Sequence, residues 1–138
     1  MSNHVRTSIS SRNKYFITRH RYLELYHFCL QYNDWKAASL SVVGGSKSIL
    51  YAAGKKSNTV RRPTENLALK ISQGDTFMKL IKDTCYEADE TIWKWLLIGV
   101  TEGVSFNRLK LIYELPCERD MYYDRYRKFF WLLDKKRD

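Results

Sequence analysis

Residues 89–136 read "DETIWKWLLIGVTEGVSFNRLKLIYELPCERDMYYDRYRKFFWLLDKK", and this stretch decides the fold class. Asp89 stands where a helix N-cap belongs, with Glu90 in the first turn. Ile92, Trp93, Leu96, Leu97 and Val100 then recur at helical spacing. Gly103 is placed to stop that helix. Ser105 can cap a second, short helix over "FNRLKLIYE". Pro116 cannot continue it, so "LPC" predicts a turn. A third and longer helix is expected from about Glu118 to Lys135. Helix, tight turn, short helix, tight turn, longer helix is the order of a trihelical helix-turn-helix domain.

The last helix divides its residues by face. Tyr122, Tyr126, Phe129 and Leu133 form one stripe, expected to pack on Leu109, Ile112 and the Ile92–Val100 helix. The other face carries Glu118, Arg119, Tyr123, Asp124 and Arg127, with Lys128 beside them. A helix that reads DNA needs such a face, its first residues reaching base edges and later cations meeting phosphates. Arg119 is the candidate for a guanine contact. The competing reading is a helical bundle with a solvated charged face, because trihelical units also occur in proteins that bind no DNA. The glycine usual in the turn is replaced by Glu114-Leu115-Pro116.

Upstream, residues 1–12 are polar and basic. From Lys14 to about Leu40 the pattern predicts one long helix, with Tyr15, Tyr22, Leu25, Tyr26, Cys29, Tyr32 and Trp35 on one face. That aromatic stripe reads as a core or dimer face. Part should meet the trihelical unit, and the surplus favours a homodimer, since each large aromatic buries ~150–250 Å². "VVGGSKSILYAAGKKSNTVRRP", residues 42–63, has three glycines, five basic residues and no acid, and reads as a flexible basic connection. Pro63 suits a helix start, and Gly74 is a candidate kink or break in the helical pattern beyond it. The expected organisation is 1–62 as basic arm, aromatic-striped helix and basic loop, and 63–138 as a helical domain with the helix-turn-helix at about 89–135. The fold class is all-α.

The formal net charge of +9 lies entirely in one half. Residues 1–70 hold 12 Lys/Arg against 3 Asp/Glu, and residues 71–138 hold 12 against 12. Such an imbalance suits a polyanion, and the rival is a generally basic protein with no such partner. Arg6, Arg12, Arg19, Arg21, Lys55, Lys56, Arg61 and Arg62 are the candidates to grip phosphates from the arm and loop.

Catalytic chemistry finds no foothold, and the expectation is a protein that is no enzyme and holds no metal or cofactor. His27 and Cys29 form a lone pair without a second pair at zinc spacing. "VGGSKS" lacks the phosphate-loop spacing. Glu87, Asp89 and Glu90 more simply mark a helix start. Three scattered cysteines, Cys29, Cys85 and Cys117, suggest a reducing compartment rather than a disulfide framework. No apolar run approaches the ~18 residues of a membrane span, and "MSNHVRTSISSRNKYF" lacks an apolar signal region. The expected setting is the cytoplasm of a bacterial host cell, with a Ser/Arg-rich presequence as the rival.

A family resemblance attaches to these residues. "LLIGVTEGVSFNRLKLIYELPCERDMYYDRYRKFFWLLDKKR", with its runs "GVTEGVS", "LPC" and "YYDRYRKFFWLL", resembles the C-terminal part of phage and prophage late-gene regulators of the RinA/ArpU type. "RPTENLALK" is similar too. The likeness covers the chain from Pro63 onward and the first half only loosely. It implies sequence-specific binding of double-stranded DNA through a helix-turn-helix related to a sigma-factor DNA-binding region, with the recognition helix on Glu118 to Arg127. RNA polymerase is a further candidate partner. Two other readings stand beside it. One is a DNA-binding packaging component of the small-terminase kind. The other is a basic helical module that docks on an acidic protein.

Overall fold

The computed structural model describes residues 12–44 and 61–137, and these form helices without any strand. The elements are α1 (Arg19–Leu30), α2 (Tyr32–Gly44), α3 (Arg61–Ala88), α4 (Trp93–Glu102), α5 (Phe106–Tyr113) and α6 (Arg119–Arg137). Side chains are described for 12–40 and 66–137.

The expected helix from Lys14 to Leu40 is two helices. Thr18 starts α1 by accepting a hydrogen bond from the Arg21 N–H at 3.3 Å. Gln31 ends it. Its N–H turns back to the Phe28 carbonyl at 3.2 Å, the tighter closure of a 3₁₀ turn, and α2 begins at the next residue. Periodicity is blind to such a one-residue interruption. α3 corrects a second expectation. Its 28 residues run unbroken through Gly74. A glycine inside a helix costs ~1 kcal/mol relative to alanine. Here the missing side chain makes room, because a Cβ on Gly74 would lie 3.0 Å from the Trp35 Cβ.

The C-terminal helices follow local capping chemistry except at the start of α4, whose N-cap is Ile92, without a side-chain cap bond, rather than the expected Asp89. Asp89 does not sit directly before α4. Its Oδ1 accepts from the N–H groups of Thr91 (2.7 Å) and Ile92 (3.1 Å), closing the turn that leads in. Gly103 ends α4 at φ 66°. Ser105 caps α5 through the Arg108 N–H. Glu114 then takes the left-handed position at φ 56°, which glycine usually fills. The N–H groups of Glu114 and Leu115 both turn back to the Leu109 carbonyl, the latter at 3.1 Å, which closes the end of α5.

The chain groups into two compact units, Met1–Gln31 with Leu80–Asp138, and Tyr32–Lys79. In the first unit α1 packs on α4 and α6, and α4 packs on α5 and α6. Tyr22, Leu25 and Cys29 of the aromatic stripe are buried there, joined by Phe28, which the stripe did not include. They are consumed within the chain. Tyr122, Tyr126, Phe129 and Leu133 are buried as their spacing predicts, and Phe130 joins them. Ile112 corrects the packing expected of α5. It is 54% exposed while Leu109 is fully buried. The reason is the crossing point: α6 passes over the first turn of α5, with Phe106 at 5.9 Å from Tyr122 and 6.2 Å from Tyr123. α6 reaches α4 at Gly99, where a Cβ would lie 2.1 Å from the Tyr122 hydroxyl.

The second unit holds α2 and the first part of α3. Trp35 stacks at 5.2 Å from Phe77, over Gly74.

Candidate nucleic-acid interface

Arg119 is the first residue of α6, so it stands at the positive end of the helix dipole with unpaired backbone N–H groups beside it. Its side chain is exposed and rests on two rings. The guanidinium carbon lies 5.3 Å from the Tyr123 centroid and 5.8 Å from that of Phe106. Contact with ring faces holds the planar guanidinium in place without neutralising it. α5 presents Phe106 because Ser105 caps its first turn, and Tyr123 follows Arg119 by one helical turn.

The neighbouring candidates differ among themselves. Glu118 is exposed and faces Lys110 at 3.8 Å. Tyr123 is half-buried among Phe106, Tyr122 and Tyr126. Asp124 is spent on an ion pair with Arg125. Lys128 is half-exposed, one turn beyond Asp124. Arg127 departs from its expected place on an open reading face. It is half-buried, and its Nε is shut off from solvent with no hydrogen-bond partner. By helical spacing it lies between Tyr123 and Trp131, and Trp131 is covered by Tyr15 at 5.4 Å.

The phosphate-grip residues separate further. Arg6, Lys55 and Lys56 lie outside the described residues, as do the side chains of Arg61 and Arg62 in the first turn of α3. Arg12 and Arg19 are exposed, one before α1 and one at its start. Arg21 is already occupied. Its Nε donates to Asp134 Oδ1 at 2.6 Å, a second nitrogen to the Asp134 carbonyl at 3.4 Å, and a third reaches Glu24. The bond to Asp134 raises its pKa further above an already high value. Arg21 therefore ties α1 to α6, and sequence could not show this because Asp134 is 113 residues away.

Sequence reasoning also missed residues. Arg125 donates to Asp89 Oδ2 at 2.9 Å, joining the turn before α4 to α6. Burial opposes the charge on Asp89, but hydrogen bonds from Arg125 and from the Ile92 and Thr91 N–H groups outweigh it and hold the pKa below the usual value. At the far half of α6, Lys135 lies 4.2 Å from the Trp131 ring and Lys14 lies 5.1 Å from Tyr15. Rings and cations thus alternate at both halves of α6, a composition suited to phosphate and base contact. The signal in the sequence was the pairing of Lys14 with Tyr15 and of Trp131 with Lys135, one helical turn apart.

Among the described residues no group of three or more His, Cys, Asp or Glu could hold a metal ion. No described helix is long and apolar enough to cross a membrane. The thiols of Cys29 and Cys85 are fully buried, and burial pushes both pKa values far up, so neither is a ready nucleophile. Compared with protein-family models, with curated proteins and with solved structures, the chain matches none of them significantly.

Proposed function

We propose that this chain is a sequence-specific DNA-binding transcriptional regulator of the phage or prophage kind, acting as a homodimer, with α4, α5 and α6 as its helix-turn-helix and α6 as the recognition helix. The observation that carries the reading is Arg119. It is an exposed guanidinium at the N-terminus of the last helix, braced by Phe106 and Tyr123. A recognition helix needs a pre-oriented bidentate donor at that position. The excess charge of residues 1–70 supplies sequence-independent attraction, so affinity and base choice reside in different parts of the chain. The likeness of residues 96–137 to RinA/ArpU-type regulators supports the same reading, and RNA polymerase is then the natural second partner.

Selection of bound sequences from random DNA tests this, with wild type and Arg119→Ala side by side. Wild type should return a consensus. Arg119→Ala should keep its affinity for random DNA and lose ~1–3 kcal/mol of discrimination at one base pair. An unchanged ratio of specific to random binding removes α6 as the reader.

A second reading rests on a separate observation. Leu111 is 85% exposed and Ile112 is 54% exposed beside the α5–α6 turn, with Met121 also open. Such apolar exposure favours a protein-docking module. Under that reading wild type shows no salt-dependent affinity for DNA.

A further inference from the structure

The α2–α3 unit is built differently from the rest of the chain. Its described side chains include only one apolar group in the buried core, that of Tyr32. Trp35, Ala38, Leu67, Ile71 and Phe77 instead line an open groove of about 260 Å³ over Gly74. Leu40 and Leu69 are 60% and 61% exposed on the outer faces of the same helices. The described side chains of these two helices thus supply little core of their own.

The rim of the groove identifies what completes it. Asp34 lies on the α2 side and Lys70 on the α3 side. Both are exposed, and the described residues give neither an ion-pair partner. One acid and one base flanking an apolar strip make a self-complementary surface: in a two-fold contact Asp34 of each copy meets Lys70 of the other, twice. We infer that the α2–α3 groove is a homodimer interface, and that its occupant is the same groove of a second copy, giving a four-helix arrangement. This names the surface for the dimer proposed above, yet it rests on α2 and α3 alone and not on α6. α2, with 13 residues, is about 20 Å long and the paired helices about 20 Å wide. That footprint, about 400 Å² per partner, lies below the range of stable specific interfaces, so the dimer is a weak one, expected to dissociate on dilution.

Sedimentation equilibrium on the full chain, from nanomolar to about 100 µM, tests the inference. Wild type should be a concentration-dependent dimer. Asp34→Lys and Lys70→Asp should each weaken it at least tenfold, and Asp34→Lys combined with Lys70→Asp should restore it. Both side chains face solvent, and circular dichroism checks that helix content is unchanged. Ala38→Glu, which places a charge on the groove floor, should give a helical monomer. A wild-type monomer at the highest concentration overturns the inference. So does a dimer that none of these changes disturbs, or two single charge reversals that the double variant fails to rescue. Binding of random DNA by the monomeric variants, measured alongside, separates failure of this interface from failure of the DNA reading.

Discussion

Tyr122→Phe should make this protein more stable. The Tyr122 hydroxyl is fully buried, has no hydrogen-bond partner, and lies against the bare backbone of Gly99 on α4. A buried hydroxyl without a partner carries a desolvation penalty of ~1–3 kcal/mol. Removing the oxygen leaves a void on the order of 10 Å³, which at ~24 cal/mol per Å³ costs about 0.2 kcal/mol. The net gain is about 1–2.5 kcal/mol, or about 4 °C in Tm per kcal/mol for a chain of this size. Gly99→Ala is the matching perturbation. Its Cβ would stand 2.1 Å from the hydroxyl oxygen but 3.4 Å from the ring carbon that bears it. In wild type the substitution should therefore cost ~1–3 kcal/mol by overpacking. In the Tyr122→Phe background the clash is gone, and alanine should recover the ~1 kcal/mol that glycine loses inside a helix. Urea unfolding of the four proteins, with a constant slope, measures both effects and a coupling of about 2 kcal/mol or more. If Tyr122→Phe is destabilising, or if Gly99→Ala costs the same in both backgrounds, the hydroxyl has a partner and the contact of α4 with α6 differs from the one described.

Changing Lys55, Lys56, Arg61 and Arg62 together to Ala should weaken binding to all DNA alike and flatten the salt dependence by up to ~0.9 per lost phosphate contact, read from titrations across salt concentrations. Asp89→Ala should cost about 1–2 kcal/mol, because it removes the acceptor for two N–H groups and for Arg125. The Asp89 pKa is lowered in the folded state, so its contribution is fully present above the unfolded value and is lost as pH falls through the folded one. Wild type should therefore lose stability below about pH 4, and the Ala variant should lose less. Glu114→Gly should stabilise by up to ~1 kcal/mol in thermal unfolding, since glycine adopts the left-handed position without strain.

Much of α4 to α6 was legible because it is governed locally. Ser105, Gly103 and the turn ahead of Pro116 act through bonds and steric limits that span a few residues, so their positions can be read one after another. The stripe of Tyr122, Tyr126, Phe129 and Leu133 was legible for the same reason, since 3.6-residue periodicity reports which face is apolar. Composition likewise displayed the +9 charge of the first half, and helical periodicity displayed an all-α chain.

Tertiary structure decided the rest, because it depends on which distant groups meet. Arg21 looks like one more surface cation until Asp134 binds it across 113 residues. Arg127 shares the spacing of Arg119, yet only the fold shuts in its Nε while Arg119 stays open on Phe106 and Tyr123. Ile112 has an apolar side chain at a helical position, and the crossing of α6 over the first turn of α5 leaves it in water. Gly74 reads as a break, whereas Trp35 packed against it explains why the helix continues. Sequence periodicity reports that a face is apolar and never what covers it. The helix crossings settle that, and with it which cations remain open to a partner.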